Sequence, residues 1–441
     1  MFIIDFPVSF TSKEITPWGG MAFLKQMLDK MQFSQVVSHC EHLPVSGSNR
    51  GYAPEVILES FFTSIWCGAN RFMHTELTRL DPALARIFGW KNVPAQDVFK
   101  RYFSKFNQVT NLAVSQHFYS WIFDNFHFDH FTLDIDSSIL TRYGNDVEGA
   151  KKGYNPKKKG RNSHHPLIAF VSDVNLVANM WLRSGDTSSA NNFLSFLEDT
   201  LQKLQHKTVG LIRLDSGFFQ SDILDHLEAR NTDYIIAAKF THPIQCLIAD
   251  HKAWIRLDDG IEICEQYYQS DSWTKARRLV IVRQKIKERP QATGKMLSLF
   301  PEEEAHRNYR YSAYVTSLNL SAAEVWRLYR GRANAENYIK ELKYDFGFDS
   351  FNLKGFYATE AALTFAMIAY NLMSLFRQFI LQEKTQKRLS TLRYRTFAIG
   401  AYFEKIKDQI VLKIALVKKR RKWFTSLWNQ SQNFDFPFSN A

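Results

Sequence analysis

An α/β protein built on a mixed sheet is predicted by two features of the sequence. From Phe128 onward, short apolar stretches and amphipathic ones follow each other in the order β-β-β-α-β-α-β, the pattern of a sheet covered by helices. Before that point, from about Thr16 to Phe123, apolar residues recur at three and four, which predicts a helical N-terminal region. Of 441 residues, 45% are hydrophobic and 15% aromatic. That is ample material for a large core, and the length suits about two or three domains.

In chain order, WGGMAFLKQMLDKMQF, PEVILESFFTSIWCGANRF and AQDVFKRYFSKF read as helices, with Pro54 placed where one begins. FDHFTLDIDSSIL alternates and predicts a strand over Phe131 to Ile139. A polar connection follows, then PLIAFVSDVNLVANMWLRSG, which reads as two strands. NNFLSFLEDTLQKL predicts an amphipathic helix. VGLIRLDSGFFQSDILDHLEARN predicts a strand, a turn at Asp215 to Gly217 and a helix, and TDYIIAAKF another strand. From 241 to 311 the texture is strand-rich, with a loop holding QATGKMLSLFPEEEAHR, and predicts a β insertion. SAYVTS is a strand, and Ser321 to Gly347 a helix. AALTFAMIAYNLMSLF, Ala361 to Phe376, is short for a membrane span and contains Asn371, so a buried core helix is expected. The expected organisation is a helical N-terminal domain over 1–125, an α/β core over 126–240 and 312–382 around the insertion at 241–311, and a basic helical region over 383–441.

The formal net charge of +12 points to a polyanionic partner, nucleic acid before a membrane surface. Cys40, Cys67, Cys246 and Cys264 are scattered without a C-x-x-C pair, which argues against zinc ribbons and a secreted disulfide framework. No signal-peptide pattern opens the chain, and a cytoplasmic location is expected.

Three acids stand in settings that suit metal chemistry. Asp136 is near the end of the first strand, Asp215 at the end of a central one, and Glu336 on a late helix. Two-metal phosphodiester cleavage needs such carboxylates, since hard oxygen donors hold Mg²⁺ and paired ions stabilise the attacking and leaving oxygens. On a continuous helix at roughly 100° per residue, Tyr329, Arg332, Glu336, Lys340 and Lys343 would share an arc of roughly 80°. That stripe of one acid, three cations and a phenol predicts a face for metal and phosphate together. The plainer readings are a turn-forming Asp at a strand end and ordinary i,i+4 pairs of Glu336 with Arg332 and Lys340, each contributing about 0.2–0.5 kcal/mol.

Tyr329-x2-Arg332-x3-Glu336-x6-Lys343 resembles the Y-x2-R-x3-E-x6-K signature of a large group of bacterial insertion-sequence transposases with a DDE triad. LDIDSS resembles their first-Asp strand, and RLDSGFFQSDILDHL their second-Asp strand, turn and helix. DVEGAKKGYNP, SHHPLIAF and KELKYDFGFDSF are similar to the subfamily carrying GYNP after the first Asp. The resemblance implies a ribonuclease-H-like core and cut-and-paste DNA transposition. It implies metal ligation by Asp136, Asp215 and Glu336, with two Mg²⁺ ions for which Mn²⁺ can substitute, and phosphate contacts from Tyr329, Arg332 and Lys343. It further implies terminal inverted repeats and target DNA as partners, a homodimer in the synaptic complex, no membrane, and a nucleoid-associated location. Asp134 shares a strand face with Asp136 through the period of two. Asp136 is preferred because the family's first Asp precedes a hydroxyl pair, here Ser137-Ser138.

KKGYNPKKKGR offers Lys151, Lys152, Lys157, Lys158, Lys159 and Arg161 without an acid, a candidate DNA-phosphate loop that a solvated charge run would also explain. Lys340 is a further DNA candidate, and KKRRKW over 418–423 is a second cluster, for DNA or for solubility. His164 and His165 are not assigned as ligands. Related transposases form hairpin ends with a flipped base, for which Tyr311, Tyr309 and Trp273 are the stacking candidates, with core packing as their plainer role. Two other functions remain open at this point: a catalytically inactive transposase-derived DNA-binding regulator, and a stand-alone nuclease on the same core.

Overall fold

The computed structural model describes residues 7–47, 51–144, 146–286, 309–383 and 385–439. The chain divides into two compact units, one of residues 127–340 and the other of residues 1–126 and 341–441.

The 127–340 unit is organised on a nine-stranded mixed sheet. Its strands are β1 (Phe131–Ser137), β2 (Leu167–Val171), β3 (Leu176–Trp181), β4 (Val209–Leu214), β5 (Tyr234–Ala237), β6 (Ile255–Asp258), β7 (Ile261–Tyr268), β8 (Arg277–Lys285) and β9 (Tyr309–Thr316). They lie in the order β6-β7-β8-β9-β5-β4-β1-β2-β3. β1, β2 and β3 form an antiparallel meander, while β4 runs parallel to β1 and β5 parallel to β4. β9 returns antiparallel to β5, and β8, β7 and β6 continue antiparallel from it. Every residue of β2 is buried, as expected of an inner strand covered on both faces. The helix Phe193–Leu204 buries Phe193, Phe196, Leu197, Thr200 and Leu204, one stripe at helical spacing, and packs on β3.

One expectation in this unit is corrected. The insertion begins with a helix, His242–Asp250, where strand was expected. Pro243 in its first turn and the buried pair Ile244 and Ile248, four apart, are helix signals hidden inside a strand-rich stretch. Its strands extend the main sheet through β9. The loop expected over 291–307 lies outside the described residues.

In the other unit, the helix Phe356–Leu375 is buried along nearly its whole length. It can therefore be apolar on all sides. Asn371 is fully buried, and Trp66 Nε1 donates to the Ala369 carbonyl at 3.1 Å. Phe61, Phe72, Phe103 and Phe351 cluster beside one another, with edge-on centroid distances near 5 Å. Among the described residues one helix is long and apolar enough to cross a membrane, and it is this enclosed one.

The tail departs from the helical expectation. Ala401–Ile406 and Gln409–Ile414 form an antiparallel hairpin, to which Ile15–Thr16 adds a strand. The helix Lys418–Asn433 follows. AYFEKI and QIVLKI carry a period of two that their lysines obscure, and Lys407, at φ 54°, makes the turn.

Candidate active site

Parallel pairing of β1 with β4 builds the site. Ile135 is in register with Leu214, so the next residues, Asp136 and Asp215, emerge at the same edge of the sheet. Each carboxylate is steered by a local N–H. Asp136 Oδ1 accepts from Ser137 N at 2.9 Å, and Asp215 Oδ1 from Gly217 N at 2.8 Å.

Arg332 lies between them. Its Nη2 is 3.0 Å from Asp136 Oδ1 and 3.9 Å from Asp215 Oδ2, so both acids are within one guanidinium's reach. The residue is only 8% exposed, yet neither Nε nor Nη2 makes a hydrogen bond. The attraction is ionic rather than directed. Burial pushes the Asp136 carboxyl up to about 6, against the pull of Arg332, and the charges of Asp215 and Glu336 push the same way as burial. Burial also opposes the charge of Arg332, but Asp136, Tyr329 and Asp215 hold its pKa above the ordinary value. The Glu336 side chain is 63% exposed, with Lys340 Nζ 4.0 Å from it.

Among the described residues, no three His, Cys, Asp or Glu side chains are drawn together closely enough to hold a metal ion. Carboxylate oxygens are the donor type that would suit a hard divalent cation. The cation between the two aspartates is the Arg332 guanidinium.

Asp134 is otherwise engaged. It is fully buried, and its two oxygens accept from Arg213 Nε at 2.6 Å and Nη2 at 2.7 Å. Arg213 Nη1 in turn donates to the Leu328 carbonyl at 2.5 Å. This interaction reshapes the signature segment. The helix Ala322–Arg330 ends there and a new one, Ala333–Asp345, begins. Between them Gly331 N, Arg332 N, Asn334 N and Ala335 N all bond three residues back, the tighter 3₁₀ pattern. A Cβ on Gly331 would fall 2.5 Å from Arg213 Nη1, so the close approach needs glycine.

The expected single stripe is corrected accordingly. Tyr329 and Arg332 turn inward, while Glu336 and Lys340 are exposed. The Tyr329 hydroxyl donates to the Leu214 carbonyl at 3.3 Å, and its ring packs on Tyr314 at 4.3 Å. It therefore braces the strand end that leads into Asp215. Lys343 falls in the other unit.

The basic loop is partly ordered by a small sheet of Leu140–Thr141, Asn162–His164 and Lys151–Lys152. Lys152, Lys157, Lys158, Lys159 and Arg161 are exposed, and Lys151 pairs with Asp186 at 3.1 Å. His164 is fully buried, with Nδ1 accepting from Arg142 Nε at 3.0 Å and Nε2 beside the Glu148 carbonyl at 2.9 Å. Burial lowers its pKa to about 4, so it is neutral, with both ring nitrogens occupied. Of the stacking candidates, Trp273 and Tyr311 are buried, Trp273 against Phe219 and Tyr268, whereas Tyr309 is half-buried beneath Arg283.

Sequence reasoning passed over Arg213. The signal was present: an arginine inside the apolar strand VGLIRL must find a buried partner, and strand period places it on the same face as Asp215.

With this geometry in place, comparison with known proteins gives the class. The chain belongs to the family described as Transposase DDE domain group 1, whose sequence model matches residues 5–434. It is a DDE transposase. No curated protein matches the chain. A similar solved structure is a cryo-EM piggyBac transposase synaptic complex with hairpin DNA, at 11% identity and a TM-score of 0.47, covering 87% of this chain and 81% of that one.

Proposed function

We propose that this protein carries out cut-and-paste transposition of an insertion sequence, and that it belongs to the subgroup with the Y-x2-R-x3-E-x6-K signature and the GYNP segment. The observation that carries the site assignment is the buried Arg332 within ion-pair reach of both Asp136 and Asp215. The order β3-β2-β1-β4-β5, with β4 and β5 parallel to the β1 direction, supports a ribonuclease-H-like core, with β6, β7 and β8 in its insertion.

Asp136, Asp215 and Glu336 would hold Mg²⁺, with Mn²⁺ able to substitute. When bound, such ions supply Lewis-acid stabilisation of the attacking and leaving oxygens. Arg332 leaves the carboxylates for a DNA phosphate, whose oxygens satisfy its Nε and Nη2 donors as a bidentate pair. Tyr329 keeps the Asp215 strand end in place, and Lys340 with the 151–161 loop neutralises neighbouring phosphates. Water cleaves a phosphodiester at each terminal inverted repeat. The freed 3′-hydroxyl attacks the opposite strand to give a hairpin, which is reopened, and the 3′-hydroxyls then attack target DNA. In-line phosphoryl transfer of this kind rests on positioning and fixed charge, and needs no covalent protein intermediate. Tyr309, the half-buried candidate, stacks the flipped base of the hairpin. Two ends must be held together, so the working species is a homodimer on DNA.

The test is cleavage of a duplex carrying the element's end, with Mg²⁺ present. Wild type should cut, and Asp215→Asn and Glu336→Gln should bind the same duplex without cutting it. Normal cutting by both variants would overturn the site assignment.

A further inference from the structure

Beside the two aspartates runs a segment that no motif points to. After β3 the chain continues through Arg183 into TSSANN, residues 187–192, which leads into the helix Phe193–Leu204. Ser189 Oγ lies 2.9 Å from Ser137 Oγ, next to Asp136 in sequence. On its other side, a Cβ built on Gly217 would fall 2.8 Å from Ser189 Cβ, and Gly217 is the residue whose N–H steers Asp215. One serine therefore touches the shoulders of both acid-bearing turns.

The segment is also held unusually firmly. Arg183 is 5% exposed and donates to four backbone carbonyls: His165 at 2.8 Å, Ser188 at 2.9 Å, Ser189 at 3.3 Å and Asn191 at 2.6 Å. No carboxylate among the described residues pairs with it, so its charge is spent on gathering carbonyls. A planar guanidinium with several donors can pin a loop in one shape where a lysine cannot. Burying such a cation without an acid costs several kcal/mol. That cost is out of proportion for a connection that only links a strand to a helix.

Chemistry supplies the remaining part. Residues 187–192 hold hydroxyls and amides and no acid, and Ser188 and Asn191 are exposed. Serine, threonine and asparagine are common donors to nucleic-acid phosphates. Either hydroxyl can donate in the Ser137–Ser189 pair, and when Ser137 does, the Ser189 hydrogen is available to another acceptor.

We infer that residues 188–192 form a fixed guide for the strand being cut, with the Ser189 hydroxyl donating to a backbone phosphate beside Asp136 and Asp215, and Arg183 as its positioning residue. The inference rests on the transposase reading above.

The test uses the full-length protein and an end-carrying duplex with Mg²⁺, following binding, single-turnover cleavage rate and the nucleotide position of the cut. Ser189→Ala should lose on the order of ten-fold in cleavage at limiting DNA, divided between weaker end binding and a slower cut, the loss of one hydrogen bond to a charged group. Arg183→Lys keeps the charge but loses the fork, and should spread the cut over neighbouring phosphodiesters, an effect that simple destabilisation does not produce. If Arg183→Lys fails to fold, Ser189→Ala decides alone. Wild-type binding and rate with a single wild-type cut position in both variants would overturn the guide. A wild type that never cuts would overturn the transposase reading, and the guide with it.

Discussion

Asp134 and Asp136 are two residues apart on one strand and do opposite things. Asp134 is consumed by a bidentate pair with Arg213, both groups buried. Removing one partner of such a pair strands the other charge, so Asp134→Ala should lower stability by about 3–5 kcal/mol in denaturant unfolding. Asp136→Asn should cost much less, because burial already disfavours the ionised form, and should abolish cleavage. Its pKa gives a pH prediction with a definite sign. The folded value, about 6, stands above the ordinary 3.8. In metal-free protein, this group therefore contributes stability at pH below the ordinary value, which is lost as pH rises through about 6. Mg²⁺ held as proposed would relieve the penalty only where the carboxylate is ionised. The metal-induced rise in Tm should be larger at about pH 8 than at about pH 5, and equal rises at both would contradict this. The Ser137-Ser138 pair was the reason in the sequence to prefer Asp136, and the structure adds that Asp134 is taken up by an ion pair. The partner of Asp134 was not legible there, because Arg213 is 79 residues away and meets it only through parallel pairing of β1 and β4.

At the level of elements, the turn at Gly331 matters most. Residue spacing alone suggested one helix from Ser321 to Gly347, since nothing local forbids it. What breaks it is tertiary: Arg213 captures the Leu328 carbonyl that a continuous helix would have given to the Arg332 N–H. The result aims Arg332 inward and leaves Glu336 outward, an arrangement that 3.6-residue periodicity cannot express. Gly331→Ala would push a methyl to within 2.5 Å of Arg213 Nη1 and shift this turn. Misplacement of about 1 Å can cost about 100-fold in rate, so single-turnover cleavage should fall by that order while end binding, read by anisotropy, is kept. Unchanged cleavage would mean that the turn does not set the site. The strands and helices of the core were legible because their apolar periods are clean. The hairpin over Ala401–Ile414 was not, because lysines interrupt its alternation.

For the whole molecule, the +12 charge and the exposed cations of the 151–161 loop are the DNA-facing charge of the proposed function. Binding of end DNA should weaken with salt, and replacing Lys157, Lys158 and Lys159 by Ala should flatten the log–log slope by about 0.9 for each phosphate that is no longer neutralised. An unchanged slope would remove the loop from the DNA path. Charge surplus, signature spacing and the two acid-bearing strands already spoke for DNA chemistry in the sequence. The resting ion pairing of Arg332 did not, because ordinary pattern reading assigns a cation to substrate before it assigns it to the acids beside it. The proposed move of Arg332 from the aspartates to a phosphate has a direct test. A crystal structure of the protein with end DNA and Mn²⁺, with the metal located by its anomalous scattering, should show metal against Asp136, Asp215 and Glu336, and Arg332 turned onto a phosphate. Metal bound elsewhere, with Arg332 still held between the two aspartates on cleavable DNA, would contradict it.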